Sequence, residues 1–535
     1  MTTKIGTAAN YFELLTQLDA FLSATGHAWG LTFTGAGNGR LRGPGGAVGG
    51  YIGTAASVTE TIHIVATSAT SFTVTGTVSG ALGTATVGTD FASAVIAFRI
   101  VAGSTAFVAG DQFAVNTTPK WKRLRFGGCT ETTYRTGNIS NVPALFDGMT
   151  STQATSAAVP NQIRVEMGQP TEVRAVAIWS GGATSTAPKD FALEWSDDGS
   201  SWNVAQAWTG QSWTSTYQRR DYVTAAAPGA HRYWRVNITA GQTTTVTLSE
   251  LRLFADAGMK WDVSSRFEFA WEAPGLDGGK RIFVAGYINT NVTTDYFNLV
   301  WRGFRFWFDP EQSVLDVPAH SGDKALLLSR TPIAYWFVAN GGRVMIVCRV
   351  SSFYQLAYIG FGLPFEIIDE EHHPFPYLIG APWPGNNARW DTSSLARYRN
   401  PWDPGAGTSG SGYNSGLAAI FPDGQFVQVA NRSDSSGNEG QAAGADARVW
   451  PYTLNSNYQP DNWGDNIDQS KSQLALVIIK TTTPYHEWGS FDGLYWITGQ
   501  RNTAEALERI GAFDCLCIQN INRAAFNHFC AVALD

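Results

Sequence analysis

At 535 residues the chain is longer than one ordinary hydrophobic core, and its 44% apolar content fits roughly two to four folded units rather than disorder. A net charge of −7 gives no footing for nucleic-acid binding, and only 15% of residues are charged, against roughly 25% in ordinary soluble proteins, which fits surface burial in an assembly. No apolar run approaches the ~18 residues of a membrane span. The opening Met1-Thr2-Thr3-Lys4-Ile5-Gly6 lacks the apolar core of a signal peptide, so synthesis in a cytosol, with the five cysteines reduced, is expected.

The predicted elements begin with a short helix. Residues 8–25 place Leu14, Leu18, Phe21 and Leu22 at helical spacing, with Asn10 as cap, Glu13 three residues on and Gly26 as stop. Residues 35–50 are glycine-rich, but strands follow where a phosphate-cradling loop would open a helix carrying Lys-Ser/Thr. From Val58 to Val115, short Thr/Val/Ala/Phe strands punctuated by glycine describe a small all-β unit. Residues 146–254 alternate apolar and polar in block after block: Ile163, Val165 and Met167 against Arg164 and Glu166; Phe191, Leu193 and Trp195 against Glu194; Trp234, Val236 and Ile238 against Arg235 and Asn237. That is the period of strands with one buried face. Beyond Asp256, residues 299–308 carry bulky side chains on both faces, which predicts cover from a second sheet and from a partner subunit. Residues 333–338 and 344–350 predict a hairpin around Asn340-Gly341-Gly342, residues 474–480 a buried strand, and Asn502 with Glu505 a short helix.

Two resemblances follow from particular blocks. Leu145-Phe146-Asp147-Gly148, Phe191-Ala192-Leu193-Glu194-Trp195-Ser196-Asp197-Asp198-Gly199, Tyr233-Trp234-Arg235-Val236-Asn237-Ile238 and Leu248-Ser249-Glu250-Leu251-Arg252-Leu253-Phe254 together resemble the discoidin (coagulation-factor type C, galactose-binding-like) family. That implies a non-catalytic β-sandwich of the jelly-roll kind that binds glycans, lipid headgroups or proteins. Ala334-Tyr335-Trp336-Phe337-Val338-Ala339-Asn340, Tyr354-Gln355-Leu356-Ala357-Tyr358-Ile359-Gly360-Phe361 and Phe491-Asp492-Gly493-Leu494-Tyr495-Trp496 resemble tailed-bacteriophage virion proteins of the tail, baseplate or collar. The expected fold is therefore mainly β, a multidomain set of β-sandwiches with a short N-terminal helix. Its expected units are 1–119 (helix plus small β module), 120–257 (inserted discoidin-like sandwich) and 258–535 (assembly domain). A virion location, other virion proteins and further copies of the chain as partners, and a cell-surface glycan as ligand all follow from the resemblances. The competing functions are a tail-associated enzyme that cleaves polysaccharide, for which no stacked β-helix repeat is seen, and a secreted bacterial lectin.

Candidate site residues come from the same blocks. The discoidin-like resemblance implies a structural Ca²⁺ held by Asp147, Thr152 and Glu250; the plainer alternative is that Asp147 caps a turn. Trp179, Trp208 and Trp213 fall at strand ends or in loops, where exposed aromatics stack on sugars, although most tryptophans belong to cores. The dense Asp369-Glu370-Glu371-His372-His373 run matches no zinc spacing, and Cys515, Cys517 and Cys530 read as buried thiols. No catalytic residue and no enzymatic activity are expected.

Overall fold

The computed structural model describes the chain except residues 1, 49–51, 131–134, 137–138, 147–148, 277–280, 292, 305–312, 318–319, 365–376, 384, 392–415, 421–425, 430–446, 451–473, 481–485, 498–501, 511–512, 520–528 and 535. The architecture is mainly β, with several antiparallel sheets and an α-helix at Tyr11–Ala24. The helix begins where its cap predicts: Asn10 accepts from the Phe12 and Glu13 amides, and Glu13 reaches back to accept from the Ala9 amide at 2.7 Å. Its apolar face, with Leu14, Leu15, Leu18, Phe21 and Leu22, enters the largest core, among Trp271, Leu299 and Phe337.

That packing redraws the expected first unit. Strand Thr2–Ala8 pairs antiparallel with Ile333–Ala339, at one end of a fourteen-stranded sheet built otherwise from the C-terminal half. The first 24 residues thus join the C-terminal core, and the small β module begins at His27. In that module, strands His27–Thr34, Gln112–Thr118, Glu60–Ala66, Ser71–Gly76 and Gly80–Thr86 form one sheet, and Ile96–Val101 is central to a smaller one. They enclose Ile62, Ile64, Phe72, Phe98, Ile100, Phe113 and Val115.

His27 stands at the junction of the two units. It is fully buried, with Nε2 3.4 Å from the Leu22 carbonyl and its ring edge-on to Phe21 and Trp121. Burial lowers its pKa from 6.5 to about 4. The folded state therefore binds its proton less readily than the unfolded chain, so stability is full above about pH 6.5 and falls as pH drops towards 4. Thermal unfolding should show a loss of roughly 1.4 kcal/mol per pH unit across that window that a His27→Gln variant lacks; identical pH profiles would refute the assignment.

Strand Lys122–Gly128, expected to open the discoidin-like unit, pairs instead with Phe267–Ala273 in a five-stranded sheet with Ile282–Asn291, Tyr296–Gly303 and Lys324–Leu328. Tyr296–Gly303 also differs from expectation. Leu299 and Trp301 enter the main core and Val300 a second cluster, so both faces are closed within the chain and no partner is needed to cover them. Trp301 is fully buried and meets the Phe269 ring at 4.9 Å; Trp307 lies outside the described residues. The hairpin around Asn340 forms as expected, with its Oδ1 accepting from the Gly342 and Arg343 amides. Residues 474–480 form a strand. Asn502 to Ala506 makes a turn rather than a helix, with Glu505 in the left-handed region (φ 66°).

The chain enters and leaves the discoidin-like unit through one clamp. Arg125, on the entering strand, donates to Glu268 at 2.6 Å, and both side chains are buried. Its guanidinium lies 4.4 Å over the ring of Trp261 on the returning segment. Glu268 also accepts from the Ser313 hydroxyl and from the Val314 amide. Burial raises the Glu268 pKa, while Arg125 opposes that shift. Arg125→Leu strands a carboxylate and should cost roughly 3–5 kcal/mol. Arg125→Leu combined with Glu268→Leu should recover much of that loss in a denaturant melt; equal losses in the single and double variants would contradict a paired charge.

Candidate functional site

Between the two crossings, ten strands form a sandwich of two five-stranded sheets. One runs Arg135–Thr136, Asn161–Glu172, Ala230–Gly241, Pro188–Ser196 and Asn203–Trp208; the other runs Ile139–Ser140, Ala154–Ser156, Val246–Phe254, Ala175–Ser180 and Arg219–Val223. The alternation read from the sequence turns Ile163, Val165, Met167, Phe191, Leu193, Trp234, Val236 and Ile238 inward, against Val176, Ile178, Leu251 and Leu253 from the facing sheet. Trp234 is anchored there by its Nε1, which donates to the Thr171 carbonyl at 2.9 Å.

Strand direction sorts the loops into two ends. Residues 172–175, 197–202 and 224–229, with both connections to the rest of the chain, lie at the base. Residues 157–160, 181–187, 209–218 and 242–245 cross between the sheets at the opposite end. This tip is braced by its own polar groups. The Ser180 hydroxyl donates to the Ser215 carbonyl at 3.2 Å and accepts from the Gln218 amide at 2.9 Å. Gln242 donates through Nε2 to the Gln211 carbonyl at 2.6 Å.

Tyr217 is the exposed aromatic of the tip, 42% accessible and in the left-handed region with φ 53°. Backbone of this kind in a bulky residue is strained and persists only where its surroundings fix it. Gln153 does the fixing: its Nε2 donates to the Tyr217 hydroxyl at 3.2 Å, and its Oε1 accepts from the Gly182 amide at 2.9 Å. A β-carbon at Gly182 would sit 3.1 Å from that hydroxyl, so glycine permits the close approach. The result is a tyrosine ring held at a fixed angle among Ser, Thr and Gln side chains, which suits stacking on a sugar face and exchanging hydrogen bonds with its hydroxyls.

The residues singled out from sequence distribute differently. Trp213 is buried in the sandwich core, donating to the Pro188 carbonyl at 2.7 Å, so it is a structural residue rather than an exposed platform. Trp208 is half-buried against Phe191 and Tyr222, each at 5.4 Å, at the edge of the same core. Trp179 lies on the outer face of the second sheet, half-buried, with the Arg219 and Arg252 guanidinium groups 5.0 and 5.6 Å from its ring. Glu250 pairs across from it in register, buried, with Oε2 3.6 Å from Arg252 Nε. Ala154 pairs with Leu248, where that ladder ends, and Thr152 lies in the turn before it. The Thr152 hydroxyl donates to the Met149 carbonyl at 2.7 Å.

Asp147 lies outside the described residues. Among the described ones, no group of three or more His, Cys, Asp or Glu side chains gathers as a metal site. Of the ~6–8 oxygens Ca²⁺ takes, the described residues offer the Glu250 carboxylate, beside Arg252, and the Thr152 hydroxyl. The run from Asp369 to His373 also lies outside the described residues. Cys515, Cys517 and Cys530 are buried, and burial raises the Cys517 pKa to about 12.

Sequence reasoning passed over Tyr217 and Gln153 because neither belongs to an alternating block. The signal that marks them is an aromatic within a loop of Ser, Thr, Gly and Gln.

Comparison with known proteins identifies the sandwich. Residues 144–236 match the family described as NedA-like, galactose-binding domain. The chain therefore carries a discoidin-like, galactose-binding-like domain. Among similar solved structures, the Clostridium perfringens module CpGH89CBM32-5, in complex with GalNAc-β-1,3-galactose, is 15% identical with TM-score 0.21, over 23% of this chain and 94% of that one. The family 32 module of NanJ from the same organism, in complex with galactose, is 11% identical with TM-score 0.21, over 24% and 98%. The C-terminal domain of a chitobiase from Bacteroides fragilis is 18% identical with TM-score 0.20, over 24% and 97%. No curated protein matches the chain.

Proposed function

We propose that this chain is a structural component of a tailed-phage tail, baseplate or collar, and that its discoidin-like module binds a cell-surface glycan through the tip that bears Tyr217. The braced, exposed Tyr217 at the end farthest from both chain connections carries this reading. A module joined to its host at the base presents its tip outward. The virion half rests on the resemblance of residues 334–340 and 354–361, which lie on neighbouring parts of the fourteen-stranded sheet. In this reading the protein binds rather than catalyses, further copies and other virion proteins are its partners, and the particle is its location.

Binding of the full chain to immobilised galactose-terminated glycans tests the ligand half. Tyr217→Ala should weaken binding about tenfold or more, the effect of removing a central aromatic contact, with circular dichroism unchanged. Binding indifferent to Tyr217 would overturn the site, and failure to find the chain in purified particles would overturn the virion half.

A structural Ca²⁺ at Asp147, Thr152 and Glu250 is a further part of this proposal. A chelator should then lower the melting temperature of the full chain and excess Ca²⁺ restore it, by the ~2.7 kcal/mol that a hundredfold excess over Kd contributes. A melt indifferent to both would remove the ion from the account.

A further inference from the structure

We infer that the tip of the sandwich selects an uncharged saccharide and discriminates against sugars that carry a carboxylate or sulfate; this rests on the glycan-binding reading above. Residues 157–160, 181–187, 209–218 and 242–245, the four loops that build the tip, contain no Asp, Glu, Lys or Arg. In their place stand Thr184, Ser185, Gln211, Thr214, Gln242 and Thr243, whose amides and hydroxyls both donate and accept. A neutral sugar hydroxyl also does both, so it can exchange water for these groups without leaving a charge unpaired.

An acidic sugar meets a different balance. Taking a carboxylate out of water is costly unless a cation or several donors replace its hydration, and the tight complexes use charge-assisted, often bidentate, arginine contacts. The charged residues at the roots of these loops are largely committed elsewhere. Asp190 accepts from the Gly210 amide at 2.7 Å, and Arg219 donates to Asp221 at 2.7 Å while lying over Trp179. The Arg220 guanidinium is 5.4 Å over the ring of Trp213. Lys189 is exposed at the root of one loop, where its backbone carbonyl accepts from the Gln211 amide. The ring of Tyr217, its angle set by Gln153, offers an uncharged face.

Two matched pairs of probes test this on the full chain by calorimetry: galactose against galacturonic acid, and lactose against its sialylated form. The neutral member of each pair should bind at least about tenfold more tightly. Its affinity should also hold between about 50 and about 500 mM salt, as expected where no ion pair forms. Ser185→Arg, which adds a cation to the tip, should raise affinity for galacturonic acid and leave galactose little changed. Equal or tighter binding of the acidic members, or neutral-sugar affinity that collapses with salt, would overturn the selectivity while leaving glycan binding standing. Binding of neither member would overturn the glycan reading, and the selectivity with it.

Discussion

The arrangement of this protein depends on the buried ion pair between Arg125 and Glu268. A charge pair away from water is stable only when its remaining hydrogen-bonding capacity is met. Here Ser313 and the Val314 amide complete Glu268, and Trp261 covers the guanidinium. Arg125 belongs to the strand leading into the sandwich, Trp261 to the segment leading out of it, Glu268 to the host sheet, and Ser313 and Val314 to a turn between two strands of that sheet. One electrostatic requirement therefore ties both crossings to the host. The outward position of the tip follows, because the loops that carry Tyr217 lie at the end opposite the clamp.

A second tie closes the host itself. Thr2–Ala8 pairs with Ile333–Ala339, and the capped helix Tyr11–Ala24 fills the core beneath. The chain thus begins in the unit where it also ends, and both the small β module and the sandwich leave that unit and return to it. Trp121 marks the second departure: it is buried, with Nε1 donating to the Asn340 carbonyl in the turn of the Ile333–Val350 hairpin at 2.9 Å. Insertions are tolerated where the guest's ends lie close together, and the shared base of the sandwich satisfies that condition.

What could be read from sequence was local. The cap at Asn10, the alternation of residues 161–167 and 234–238, and the hairpin at Asn340 each depend on residues a few positions apart, and each is found. Pairings across hundreds of residues leave no such trace. Nothing in Thr2–Ala8 names Ile333–Ala339 as its neighbour, so the sequence alone keeps residues 1–24 with the small β module. Aromatic residues misled for a related reason. Trp213 lies in a polar loop, yet the loop folds its indole back over the sandwich core. Trp301 sits on a strand that is bulky on both sides because it separates two clusters of the same chain. Tyr217 went unnoticed because its importance lies in a left-handed backbone and a brace from Gln153, 64 residues away.

The central claim is that the tip, rather than the sheet faces, meets the ligand. A crystal structure of the full chain soaked with a neutral galactose-terminated oligosaccharide tests it most directly. The expected result is a sugar ring stacked on Tyr217 among residues 181–187 and 209–218, with Gln153 still bonded to the tyrosine hydroxyl. A sugar seated instead on the outer face around Trp179, Arg219 and Arg252, with the tip empty, would contradict the account.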